Sequence, residues 1–110
     1  MKRVYIGVVT TSSEIYAVAA FSRQSTAAAW ARAKAEEYTV GLCIYGQRVY
    51  ADTLCVSRKT ADEAIHFVYE AYRYYDMAAS DEENGGVAYT AWYEDAKIAN
   101  ETANAVLYPW

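Results

Sequence analysis

Proline, glycine and histidine are scarce in this chain. One proline and five glycines among 110 residues exclude collagen-like and low-complexity architectures, so most of the chain is expected to be ordered. No apolar run approaches the roughly 20 residues of a membrane-spanning helix. The single histidine, His66, and two cysteines, Cys43 and Cys55, supply neither a C-x-x-C nor an H-x-x-x-H spacing, so no metal site is expected. Glycine-rich phosphate loops are also missing, because Gly85-Gly86 stands among acids that repel phosphate.

What remains is one domain, long enough to remove roughly two-thirds of its unfolded surface from water without disulfide staples. Met1-Lys2-Arg3 followed by Val4 to Val9 imitates the start of a secretory leader, but the apolar run is too short and polar Thr10 to Glu14 follows with no cleavage-like site. A cytoplasmic location is therefore expected, with both cysteines as reduced, half-buried thiols. On the same ground Asn100-Glu101-Thr102, which matches a glycosylation acceptor, reads as coincidence.

Charge is unevenly placed. Residues 1–69 carry eight Lys or Arg against six Asp or Glu, and residues 70–110 carry two (Arg73, Lys97) against eight, which puts the last third at −6 within a total of −4. That balance opposes nucleic-acid binding, which needs Lys and Arg to neutralise phosphates.

The clearest element is a helix across Ser57 to Ala78. Thr60 followed by Glu63 reads as a capping box. At a hundred degrees per residue an apolar arc including Ala64, Ile65, Val68, Ala71, Tyr72 and Tyr75 is wider than one supporting surface needs, so the helix is expected to touch a sheet on one flank and a second helix or a second chain on the other.

A shift of 35 residues lays Ser22–Trp30 over Ser57–Ile65 without a gap. This self-similarity suggests two strand-strand-helix repeats, about 3–38 and 39–79, followed by a C-terminal segment, 87–110. In the first, Arg3 to Thr10 and Ile15 to Phe21 are the strands, and Ser25 caps a helix from about Thr26 to Tyr38 with Ala29, Trp30 and Ala33 toward the sheet. In the second, Thr39 to Tyr45 and Arg48 to Val56 are strands around a turn at Gly46-Gln47. The expected fold is α+β: a four-stranded antiparallel sheet with two helices on one face and approximate twofold internal symmetry. Beyond an acidic loop, Ser80–Gly86, the chain from Val87 carries both a strand-like alternation and a helical stripe. Its Ala, Glu and Lys content favours a third helix from about Tyr89 to Val106.

Catalytic chemistry is hard to assemble from these residues. His66 falls on the polar face of its helix, pointing away from strands that would carry Cys43 and Cys55. The carboxylate pairs Glu36-Glu37, Asp62-Glu63, Asp81-Glu82-Glu83 and Glu94-Asp95 are sequence neighbours on polar faces, which suits solvation better than acid–base work. No enzymatic activity and no cofactor are expected.

Tyrosine is what stands out, at twelve residues. Tyr69, Tyr72, Tyr74, Tyr75, Tyr89 and Tyr93 gather in the acidic part with Trp92, and Tyr and Trp combine large contact area with few rotors and a polar tip. Tyr74, Asp76, Asp81, Glu82 and Glu83, with Tyr89, Trp92, Tyr93, Glu94 and Asp95, are therefore the candidate partner-binding residues. The competing reading is that the rings simply fill the core beside the second helix. Self-association through the wide apolar arc gives an expected homodimer.

No motif assigns a family. Cys55-Val56-Ser57 with Thr60-Ala61-Asp62-Glu63-Ala64 resembles antitoxin domains of the HicB type, where a strand ending near Cys and Ser leads into a capped helix, although the usual Pro-Gly pair before the cysteine is absent. In size, acidity and tyrosine content the chain is also similar to small phage-encoded inhibitors of bacterial defence, including anti-CRISPR proteins and nucleic-acid mimics. That likeness implies a non-enzymatic inhibitor acting in the host cytoplasm on a basic protein or nucleoprotein complex, without direct nucleic-acid or membrane binding. The alternatives are an antitoxin-like regulatory domain and a protein that sequesters a nucleotide in a Tyr/Trp-lined pocket.

Overall fold

The strand β1 (Arg3–Thr10) is apolar on both faces, and that decides the layering. Val4, Ile6 and Val8 are buried on one side, while Gly7 and Val9 are buried on the other. A strand buried on both faces belongs at the centre of a sheet, and β1 indeed lies between β2 (Ile15–Phe21) and β3 (Tyr50–Ser57), antiparallel to each. The computed structural model describes residues 3–11, 14–42 and 48–109. Three helices complete it: α1 (Gln24–Leu42), α2 (Arg58–Glu83) and α3 (Tyr89–Leu107).

Among the described residues the sheet has three strands, not four. The expected strand from Thr39 to Tyr45 fails because α1 continues through Thr39–Leu42; Cys43 to Tyr45 and the Gly46-Gln47 turn lie outside the described residues. Thr39 and Val40 are β-branched, but the alanine-rich helix before them carries the chain past their weak preference, and the Thr39 hydroxyl donates back to the Ala35 carbonyl at 2.7 Å. The gapless match between Ser22–Trp30 and Ser57–Ile65 does fall on two strand-to-helix junctions, but only the first is preceded by two described strands.

Nor do the first two helices share a face. On one side of the sheet, Ala27, Ala31 and Ala35 bring α1 so close that a Cβ on Gly7 would sit 2.8 Å from the Ala27 carbonyl oxygen and from the Trp30 ring. The buried stripe of α1 is thus Ala27, Ala31 and Ala35, and the expected Ala29 and Ala33 are exposed. On the other side, Val4, Ile6 and Val8 pack in one cluster with Ala61, Ala64 and Val68 of α2 and with Ala103 and Leu107 of α3. Opposite faces follow from β1 itself, whose two apolar surfaces both need cover.

The start of α2 also differs from expectation. Ser57 is the cap, accepting the Thr60 N–H at 3.2 Å and donating to the Thr60 hydroxyl at 3.0 Å, so the helix begins at Arg58. The alternative of a strand after Val87 is settled for a helix: α3 spans Tyr89–Leu107 and runs back along α2. Between them Asn84 N–H and Gly85 N–H bond back to Ser80 and Glu82 carbonyls, and Gly85 takes the left-handed conformation, φ 76°, that favours glycine. Buried Ala61, Ala64, Val68, Ala71 and Ala78 face Ala96, Ala99 and Ala103, a small-residue seam that permits close helix packing.

One buried polar residue ties α3 to the sheet. Asn100 accepts the Ile15 N–H at 3.1 Å and donates to the Ile15 carbonyl at 2.9 Å, pairing both backbone groups at the first residue of β2. Asn100→Ala removes both partners and is expected to cost about 2 kcal/mol or more, read as a lowered urea midpoint. Gly7→Ala is expected to destabilise by about 1–3 kcal/mol, although replacing a strand glycine would ordinarily help, because the new methyl meets backbone. An unchanged or raised midpoint would contradict the close approach of α1.

Candidate functional site

The helical hairpin outreaches the sheet. At 1.5 Å per residue the 26 residues of α2 span about 39 Å, whereas eight-residue strands span about 26 Å. Apart from Tyr75, whose hydroxyl reaches Glu14 between β1 and β2, its distal part therefore relies on α3 for cover. All ten residues singled out in the sequence, Tyr74 to Glu83 on α2 and Tyr89 to Asp95 on α3, fall in this distal part.

Two sets of rings hold the hairpin together there, one on each side. Tyr74 stacks on Trp92, centroids 6.0 Å apart and planes 20° from parallel. On the opposite side Tyr93 meets both Tyr75 and Tyr89, at 6.1 and 6.4 Å, and its hydroxyl donates to Glu82 at 3.1 Å. Tyr74, Tyr89 and Trp92 are half-buried and Tyr93 is exposed, so the rings fill the interhelical space and still present edges to solvent. Neither reading of the tyrosines, core or surface, holds alone.

The carboxylates divide by role. Asp81 is built into the turn: it accepts the Ala88 N–H at 2.9 Å and lies over Gly86, where any Cβ would collide with it. Asp76, Glu82, Glu83, Glu94 and Asp95 are exposed. Residues 74–95 hold six carboxylates and no Lys, Arg or His. Among the described residues the ion pairs are Lys34–Glu37, Arg58–Asp62 and His66–Glu70, and none involves these six.

Depressions run along the outer side of the hairpin. An open groove of about 480 Å³ is lined by Asp76, Met77, Ser80, Asp81, Asn84 and Trp92. It adjoins, at Met77, a smaller one at Glu70, Arg73 and Tyr74, which in turn shares Glu70 and Tyr74 with a third that reaches Phe67, Asp95, Ile98 and Thr102. Glu70, Met77 and Ile98 were not singled out in the sequence. The signal for Glu70 and Met77 was the spacing 67, 70, 74, 77 and 81, one helix face beside the buried stripe.

A second aromatic cluster closes the free edge of β2. A bulge opposite Val9 and Thr10 leaves Tyr16 unpaired, which turns its ring to Tyr38 of α1 at 5.7 Å. Tyr38 also approaches Tyr72 of α2, so side chains from both helices wrap the edge. The Tyr72 hydroxyl is sealed from solvent and has no partner in full hydrogen-bond geometry among the described residues, while Tyr38 lies near enough to act on its acidity. A cleft of about 180 Å³ lies here, lined by Trp30, Lys34, Tyr69 and Tyr72 among others. Trp30 thus lies far along the chain from Trp92, in a different depression.

His66 is exposed, with Nε2 3.5 Å from Glu70, and the Cys55 thiol is exposed as well, correcting the half-buried expectation; Cys43 is outside the described residues. Cys55 is exposed because β3 is an edge strand with a largely solvated outer half. Among the described residues no three His, Cys, Asp or Glu side chains converge as metal ligands, and no helix is long and apolar enough to cross a membrane. The second apolar flank of α2, from which a dimer was expected, is covered by α3. Comparisons with protein-family models, curated proteins and solved structures return no match.

Several tyrosines hold their protons unusually tightly. Burial first, and then donation to Glu14 at 3.0 Å, pushes Tyr75 up to about 12. Burial and the 2.7 Å bond to Asp52 raise Tyr108, burial and Tyr38 raise Tyr72, and the bond to Glu82 raises Tyr93. A folded-state value above the unfolded one, about 10, means that the stabilisation is complete below pH 10 and lost as pH rises. Urea stability is therefore expected to fall from pH 10 to 12, and Tyr75→Phe to flatten part of that slope. Tyrosinate absorbance should show the same late-titrating group, and a single transition near pH 10 for all tyrosines would contradict it.

Proposed function

We propose that the protein is a non-enzymatic binder that occupies a basic surface on a protein or nucleoprotein partner with the distal part of its α2–α3 hairpin, and inhibits that partner by doing so. One observation carries the reading: six carboxylates without a described cationic partner surround rings that are only half covered. Like charges held at one end of a fold repel one another and raise its energy. A complementary basic surface relieves that repulsion, and it accelerates encounter. The half-exposed Tyr and Trp rings supply the apolar contact that charge alone does not, as at interface hot spots.

The same acidity disfavours phosphate backbones, so the partner is the protein component of any nucleoprotein target. Inhibitors with which phages block defence nucleases act in this way, by placing carboxylates where phosphates would bind, and this role fits the acidic hairpin best. Action in the host cytoplasm belongs to the proposal.

Neutral isosteres test it with little disturbance of the fold. Asp76, Glu83, Glu94 and Asp95 are exposed and make no described hydrogen bond, so converting them to Asn or Gln should leave the urea midpoint within about 0.5 kcal/mol of the parent. Affinity purification from host cells should recover a Lys/Arg-rich protein with the parent chain and at least tenfold less of it with the tetra-amide variant. Identical recovery of the same partner, with unchanged salt dependence, would remove the acidic surface from the interaction.

A further inference from the structure

The outer depressions adjoin one another along the hairpin, and each includes apolar side chains. Phe67, Tyr74 and Met77 of α2 and Trp92 and Ile98 of α3 line them, and Met77 and Ile98 are 40% and 57% exposed. From Phe67 to Asn84 they follow 17 residues of α2, about 25 Å at the helical rise. Two parallel ridges with a furrow between them are the shape into which a third helix packs.

Charge along the furrow is predominantly negative. Glu70, Asp76, Asp81 and Asp95 line it, against Arg73 alone. A second copy of this chain seated face to face would bring one acidic furrow against another, so isologous pairing through the furrow is opposed by its own electrostatics. An occupant with Lys or Arg on both flanks of an apolar stripe meets the apolar side chains and the carboxylates at once.

Resting on the basic-partner reading above, we infer that the furrow between α2 and α3 receives a basic amphipathic helix of about 17 residues, completing a three-helix bundle with the hairpin. The apolar stripe of that helix seats over Met77 and the Tyr74–Trp92 stack, and its Lys and Arg side chains reach the four carboxylates. The partner's recognised element is therefore a helix, not an extended or disordered basic tail.

The test uses the full chain and two fluorescently labelled 18-residue peptides of identical composition. One carries leucines at i, i+3, i+4 and i+7 spacing between Lys and Arg, and the other distributes the same leucines around the helix. In 150 mM salt the striped peptide is expected to bind at least tenfold more tightly by anisotropy, and to gain helical circular dichroism on binding. Met77→Glu with Ile98→Glu adds negative charge at exposed positions and should keep the melting curve, yet weaken the striped peptide at least tenfold.

Equal affinity for both peptides, or tighter binding to the double variant, would show attraction by charge alone; the helix inference would fall while the basic-surface reading stood. Absence of binding by either peptide at 25 mM salt would overturn both. A parent dimer in sedimentation velocity that the double variant dissociates would assign the furrow to a second copy and equally overturn the inference.

Discussion

A helix longer than the sheet that supports it is the constraint on which the rest depends. The proximal half of α2 is held by Val4, Ile6 and Val8 beneath it, through Ala61, Ala64 and Val68. Past the end of the strands that support stops, and α2 can continue in water only beside another apolar ridge. The return of α3 supplies it. Alanines let the two axes approach along the shared seam, and rings take over toward the tip, where Tyr74 and Trp92 stack on one side and Tyr75, Tyr89 and Tyr93 gather on the other. The fold thus separates a conventional packed base from an arm whose stability is supplied by pairing within the hairpin.

The separation extends to electrostatics. The ion pairs among the described residues lie on α1 and the first half of α2, where Lys34, Arg58 and His66 each sit beside an acid. From residue 74 to residue 95 the arm carries acids only. Asp81 is the exception in function, because its carboxylate holds the turn through Ala88 N–H and covers Gly86, so removing it would disturb the shape of the arm as well as its charge. A surface that is both shaped and charged by the same few residues must be probed at positions that do only one of these, such as Asp76 and Asp95.

Much of this arrangement was legible in the residues. The first two strands, the long helix after Ser57 and the third helix follow from alternation, capping chemistry and composition. The four-stranded sheet did not, because Thr39 and Val40 have the shape of strand residues and only the alanine-rich helix that precedes them carries the chain past that preference. The layering was readable in principle: Gly7 among Ile6, Val8 and Val9 marks a point where something approaches closely, and two apolar faces on one strand demand two covers. An internal repeat argued for one face instead, and the repeat describes junctions rather than layers. Tyr74, Asp81 and Trp92 were found through composition, whereas the groove they line needed the helix pair in register, which no local pattern carries. Ile98 looked like an ordinary helix residue for the same reason.

The paired bonds between Asn100 and Ile15 bear on where such a chain can mature. Asn100 opens an Asn-Glu-Thr tripeptide, and it is 5% exposed with its amide nitrogen committed to a backbone carbonyl. A sugar attached to that nitrogen would abolish the donor geometry and could not be accommodated between α3 and β2. In an oligosaccharide-transferring lumen, glycan addition and docking of the last helix would be competing fates of one side chain, decided by which came first.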